Sequence, residues 1–215
     1  MRLSDEQILE LRNRFVSVLK RDLMGKNSIV MMLSSGVDSR VVASLLKYSG
    51  FDNVVCVTVD SVEGVNARKI AKILGYKHRV LNKPVGQCGS TKWICLKEVL
   101  KDFDVWVFGR GFNEVFRTNK RYKAPDINGL RGRVAEYNKI IPYYAPLLDK
   151  KIIDFVESVR GDSEINHFYT CKGLIKSTYP EVVDIKTNTG FSMNMPDIGH
   201  RGIKWFCKKL GVKLR

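Results

Sequence analysis

Residues 28–40, SIVMMLSSGVDSR, constrain the fold more than any other stretch. An apolar run from Ile29 to Leu33 stops abruptly at Ser34-Ser35-Gly36-Val37-Asp38-Ser39. A helical pattern follows, with Val41, Val42, Leu45 and Leu46 on one face and Gly50 as the stop. The pattern predicts a buried strand, a tight polar loop and a helix. Such a loop aims backbone N–H groups, hydroxyls and a helix N-terminus at one point, which suits an anion, above all a phosphate. Asp38 is the odd member of the group. A carboxylate among anion-binding groups makes sense if it holds a Mg²⁺ that accompanies the phosphates.

The rest of the chain extends this unit. Ser4 and Gln7 are spaced as a capping box for a helix over 4–24, with Ile8, Leu11, Phe15, Val18 and Leu19 on its buried face. Val54–Val59 is a second β-branched run ending at Asp60. Helical spacing over 63–74 ends at Gly75, and His78–Leu81 makes a third short strand. A helix over 91–103 and a strand over 105–108, running into Gly109, complete the alternation. Alternating strands and helices imply an α/β fold, a parallel sheet with helices on both faces. Ligands of such sheets sit outside the carboxyl ends of the strands. The loops 34–39, 60–63 and 109–114 are therefore expected to converge.

Beyond residue 114 the pattern changes to a mainly helical region. Residues 117–133 hold Arg117, Lys120, Arg121, Lys123, Arg131 and Arg133 against the single acid Asp126, and read as an aperiodic basic loop. Helices are predicted over 151–159 and 165–178, an irregular stretch over 184–199, and a basic amphipathic helix over 203–214. The division that follows is an N-terminal helix over 1–25, a nucleotide-binding core over 26–115, and a basic loop and helical part over 116–215 within the same domain.

Charge bears on the partner. Thirty-seven Lys and Arg against 22 Asp and Glu give a formal net charge of +15, which favours polyanions such as nucleic acid as well as an anionic small substrate. The basic loop is the segment expected to meet nucleic-acid phosphates or to close over a nucleotide. No apolar run is long enough to span a membrane, and the N-terminal stretch is too polar and acidic for a signal peptide. The five scattered cysteines, without a CxxC pair, read as reduced thiols of a cytoplasmic protein. The histidines, His78, His167 and His200, show no metal spacing.

The loop Ser34–Ser39 resembles the SGGxDS signature of the PP-loop ATP pyrophosphatases, with Ser35 where the second position is usually Gly. Three further stretches are similar to the synthetase domain of asparagine synthetase. GRGFNEVFRTNKRYKAP (109–125) looks like its GxGxDExFGGYxYxxKAP stretch, and PYYAPLLDKKIIDFV (142–156) like its RVPFLDxxLxDxA segment. Lys172 to Lys176, Tyr179 to Val182 and Lys186 to Phe191 follow its KxxLR…LPxxV…RxKxGF ending. The resemblance implies an adenine nucleotide alpha-hydrolase-like fold and an ATP-dependent, AMP- and PPi-forming ligase that adenylates a carboxylate for amide formation.

It also implies roles. Ser34, Ser35, Gly36, Val37, Asp38, Ser39, Asp60 and Gly109 would hold ATP, Asp38 and Glu114 would hold Mg²⁺, and Lys172, Glu114 and Arg110 would act in catalysis. Asp149 would be structural. Arg110 and Asn113 stand where the family carries acidic residues, so free aspartate is not the expected acceptor. The chain has no counterpart of the glutaminase domain. Each role stands beside a plainer one: a polar βα turn for the loop, helix capping for Asp60 and Glu63, solvated charges for Lys172 and Arg110, a helix-start charge for Glu114. Two other readings stay open, a PP-loop domain retained only for nucleotide or nucleic-acid binding, and a PP-loop enzyme that modifies nucleic-acid bases.

Overall fold

The computed structural model describes residues 1–59, 64–81, 100–107, 109, 111–116, 126–139, 142–160, 165–187 and 190–194. Five strands form one parallel sheet in the order β3-β2-β1-β4-β5, with β1 Ile29–Met32, β2 Val54–Val59, β3 Lys77–Leu81, β4 Val105–Val107 and β5 Tyr143–Tyr144. β1 is central. It pairs with β2 through Ile29↔Val54 and with β4 through Ile29↔Val105. From β1 the chain winds one way through β2 to β3 and later the other way from β4 to β5. The strand order therefore reverses between β1 and β4, and the crevice at such a reversal is where open α/β sheets take their ligands.

Side chains alternate across a strand, so burial of consecutive residues reports on both faces. Ile29, Val30 and Met31 are all fully buried, as is Val107, and Val105 and Trp106 nearly so. The centre of the sheet is covered on both sides, as a parallel sheet requires, while the edge strand β3 is largely exposed. Helix α1 (Asp5–Leu23) begins with the full capping box: Gln7 N–H donates to the Ser4 hydroxyl, and Ser4 N–H donates to the Gln7 side chain. Its buried face, from Ile8 to Leu23, packs against α2 (Val37–Tyr48), α6 (Lys150–Arg160) and α7 (His167–Lys176). At the crossing with α7 the two helices touch closely: a Cβ on Gly173 would lie 2.9 Å from Ile8 Cδ1. Helix α3 (Gly64–Ile73) lies along β2 and β3. No helix among the described residues is long and apolar enough to cross a membrane.

Two features depart from the sequence expectations. The basic segment 117–133 is not a loop throughout: its end opens helix α5 (Ile127–Asn138). The Asp126 carboxylate accepts from Gly129 N–H and starts the helix, and Leu130 is fully buried. Leu130, Val134 and Tyr137 have helical spacing, but they straddle the end of the charge run, and Gly129 and Gly132 break its look. Strand β5 was also unforeseen, because two residues show no period. Its place beside β4 is fixed by Trp106, whose ring meets Tyr143 edge-on at 4.7 Å and Tyr137 of α5 at 5.8 Å.

The segment 117–125, the tail helix over 203–214 and all but the end of the helix over 91–103 lie outside the described residues. Asp149 caps α6 by accepting from Lys151 N–H at 2.8 Å, and pairs with Arg21 of α1 at 2.6 Å, a structural use of that residue.

Candidate functional site

The loop between β1 and α2 folds on its own hydroxyls. Ser39 Oγ accepts from Ser34 N–H at 3.1 Å and lies 3.0 Å from Ser34 Oγ. Gly36 N–H donates to Ser34 Oγ at 3.1 Å. Burial divides the six loop residues: Ser35 and Ser39 are buried at 1% and 5% exposure, whereas Ser34, Gly36, Val37 and Asp38 are half-buried. The Ser35 hydroxyl is enclosed without a hydrogen-bond partner among the described residues.

Helix α2 starts at Gly36 with no side-chain cap, whereas α1, α5 and α7 are capped by Ser4, Asp126 and Asn166. An uncapped first turn leaves backbone N–H groups and the positive end of the helix dipole directed outward, the arrangement that binds phosphate. This N-terminus lies at the strand reversal. The end of β4 touches it: a Cβ on Gly109 would lie 2.7 Å from Ser39 Cα and 2.9 Å from Met31 Cε. Only glycine permits that approach. Gly109 thus has a packing reason to be glycine.

Asp38, in the first turn of α2, is drawn toward α7. His167 Nε2 lies 3.7 Å from Asp38 Oδ1, and the charge of Asp38 reaches the fully buried Cys171 thiol, whose pKa is raised first by burial and then by that carboxylate. His167 is a neighbour the sequence did not reveal, since the two residues are far apart in the chain and share no motif. Lys172 follows Cys171 on the same helix and is half-buried. Helix α7 packs along α2, so the lysine-bearing helix and the loop-bearing helix form one unit.

The second missed residue is Arg40. It is 0% exposed and spans two segments. Nη2 donates to Ser35 O at 3.0 Å and Lys186 O at 3.3 Å, and Nη1 to Val182 O at 2.8 Å and Ile185 O at 2.9 Å. Burial pushes the guanidinium down to about 10, so it stays charged at neutral pH. A signal for it existed. Residues 39–46 of α2 are all buried, and Arg40 is the one charged residue among them.

The opposite wall is built differently. Gly111, at φ +113°, turns the chain from β4 into the short helix α4 (Phe112–Phe116). Glu114 of α4 is held by Arg133 of α5 at 2.7 Å, and its carbonyl accepts from Asp126 N–H at 3.0 Å. Arg160 of α6 donates to Val115 O. Arg110 and Asp60 lie outside the described residues, as does Glu63.

A third polar feature lies at the strand ends. Thr58 Oγ1 donates its one proton to Leu33 O at 2.6 Å, so at 2.8 Å His78 Nε2 must carry the hydrogen and donate to Thr58. Burial, then Arg68, lowers the His78 pKa and keeps the ring neutral. Of the cysteines, Cys56 and Cys171 are buried and free, with pKa values raised by burial; Cys56 is pushed up to about 12. Among the described residues no group of three or more His, Cys, Asp or Glu could hold a metal ion by itself.

A central parallel strand, a hydroxyl-rich loop, an uncapped helix and the strand order β3-β2-β1-β4-β5 define a parallel α/β fold of the kind that the resemblance of loop 34–39 implies. A solved structure similar to the chain is the U34-tRNA thiolase NcsA from Methanococcus maripaludis, determined with its 4Fe-4S cluster. Sequence identity is 16% and the TM-score 0.50, over 96% of this chain and 74% of that one. No protein-family model and no curated protein matches the chain. The likeness carries the fold and does not extend to a particular closeness to asparagine synthetase.

Proposed function

We propose that the protein is an ATP-dependent, AMP- and PPi-forming enzyme that adenylates a carboxylate for amide formation, with an acceptor other than free aspartate. The observation that carries this reading is the uncapped N-terminus of α2, with Ser34 and Asp38 half-buried beside it, at the reversal of the strand order. The acceptor carboxylate oxygen attacks the α-phosphorus of ATP. The bond from that phosphorus to the oxygen bridging the α- and β-phosphates breaks, and its electron pair leaves with PPi. A nitrogen nucleophile then attacks the acyl carbon, loses a proton and displaces AMP.

Loop amides and the Ser34 hydroxyl bind the leaving PPi. Lys172 neutralises charge that builds on the phosphates, an effect typically worth about 3 kcal/mol in the transition state. The donor set fits Mg²⁺: Asp38 supplies one carboxylate, and the nucleotide's own oxygens and water complete its shell, as Mg²⁺ prefers. The ion would add Lewis-acid neutralisation of the phosphates. Glu114, oriented by Arg133, faces the acceptor side as its base, and Arg110 clamps an anionic group of the acceptor. The protein works in the cytoplasm, as its thiol cysteines suit.

A second reading shares the ATP half. The +15 charge, together with a fold neighbour that acts on tRNA, favours a nucleic-acid base as the acceptor, its carbonyl oxygen being adenylated in place of a carboxylate. Exchange of labelled PPi into ATP separates these readings. Exchange that depends on a carboxylate and disappears in Asp38→Ala and Lys172→Ala is the expected result. AMP formation driven by RNA and not by carboxylates selects the second reading. Nucleotide binding with neither exchange nor AMP reduces the protein to a binding domain.

A further inference from the structure

Arg40 touches no solvent, so it cannot meet a ligand, yet it joins two parts of the site. One side is the carbonyl of Ser35, inside the anion loop. The other is the 3₁₀ segment Pro180–Asp184, through Val182, and the turn that follows it, through Ile185 and Lys186. That turn is itself closed: Met193 N–H donates to Val183 O at 3.2 Å, and Thr187 N–H to Phe191 O at 2.8 Å. A guanidinium presents its donors as a fixed planar fork, so bonds to four carbonyl oxygens define its position, and it constrains theirs.

The bond to Ser35 O has a local consequence. It fixes the Ser35–Gly36 peptide, whose own N–H donates to Ser34 Oγ at 3.1 Å, so the guanidinium and the loop's internal bond hold both ends of the peptide that precedes the uncapped turn. The Nε proton has no partner among the described residues, which makes the buried cation costly to keep for packing alone. Its positive charge lies beneath a loop that would receive a polyphosphate, where it is favourable.

We infer that Arg40 is a positioning residue which locks the anion loop 34–39 to the segment 182–187, so that the two move as one element and the phosphate-binding geometry depends on that lock. The phosphate part rests on the PP-loop reading above; the mechanical part does not. Binding at the loop then orders the segment 182–187, and disorder of that segment weakens binding by the same factor, as linkage requires.

Native-state hydrogen exchange on the ligand-free wild type tests the lock. The hydrogen-bonded amides of Ser34 and Gly36 in the loop, and of Thr187 and Met193 in the other segment, are expected to exchange through one shared opening, with equal protection and equal dependence on denaturant. Unequal protection or unequal dependence overturns the inference. In Arg40→Lys, which keeps the charge but loses the fork, both segments lose protection together by about tenfold, while affinity for inorganic pyrophosphate with Mg²⁺ falls by a similar factor. Leu19→Ala, a core truncation on α1, lowers stability but leaves pyrophosphate affinity of the folded protein unchanged. Equal affinity in wild type and Arg40→Lys overturns the positioning role. Shared exchange in a wild type that binds no pyrophosphate keeps the lock and removes the PP-loop reading.

Discussion

The two walls of the crevice are held by different forces. On the β1–α2 side, backbone meets backbone: Gly109 lies against Ser39, hydroxyls tie the loop to itself, and a fully buried arginine anchors it from below. On the α4–α5 side, the one acidic candidate is fixed by a half-exposed ion pair, Glu114 with Arg133, and by the cap of a helix. The first wall tolerates little change of shape. The second can change its charge without changing the fold. A site that must bind one nucleotide while its acceptor varies is expected to divide in this way.

The largest break in this contrast comes from Gly109→Val. Its Cβ would enter at 2.7 Å from Ser39 Cα, a backbone atom that cannot swing aside. The expected cost is at least about 1–3 kcal/mol of stability, with a displaced loop and nucleotide affinity reduced by about tenfold or more. Denaturant titration and nucleotide titration check the two parts. A variant that binds ATP as the wild type does shows that the close contact does not shape the loop.

On the other wall, Asp126→Ala removes the cap of α5, and a loss of about 1 kcal/mol in chemical denaturation is expected. Nucleotide affinity should be unchanged. A loss of affinity would mean that the two walls are coupled, against the division drawn here.

Smaller still is Arg133→Gln. The pair is 44% and 29% exposed at its two side chains, so its stability effect should lie below about 1 kcal/mol and fade with salt. Turnover with the acceptor should nonetheless change, because Glu114 loses its orienting partner. Steady-state kinetics at fixed ATP separate the two effects.

The smallest effect is a pH dependence. In the fold the His78 pKa is lowered from 6.5, first by burial, so the unfolded chain binds more protons as pH falls below 6.5. Stability is therefore lost as pH drops from 6.5 through the lowered folded value. His78→Gln keeps an N–H for Thr58 but cannot titrate, and should flatten the stability profile over that window. An unchanged profile would assign the pH dependence to other groups.

How much of this was legible in the sequence follows the same division. The loop 34–39, the capping box at Ser4 and Gln7, and the strands β1 to β4 are local patterns, and each element agrees with its neighbours. Helix α5 is hidden in the sequence because its apolar positions, Leu130, Val134 and Tyr137, cross the edge of a charge run. β5 is too short to carry a period and owes its place to Trp106. Arg40 and His167 belong to the site through tertiary contacts with residues 182–186 and with Asp38, and no spacing along the chain encodes such contacts. Burial of residues 39–46 of α2 singles out Arg40, and burial is itself a property of the fold.

The proposed function requires the anion loop to hold the triphosphate of ATP. A crystal structure with α,β-methylene-ATP and Mg²⁺, an analogue that cannot be cut between the α- and β-phosphates, tests it most directly. The expected result is β- and γ-phosphates against the amides of Val37 to Ser39, the metal on Asp38 and the α-phosphate toward Lys172. A nucleotide bound away from the first turn of α2, or that turn left empty at saturating analogue, would contradict it.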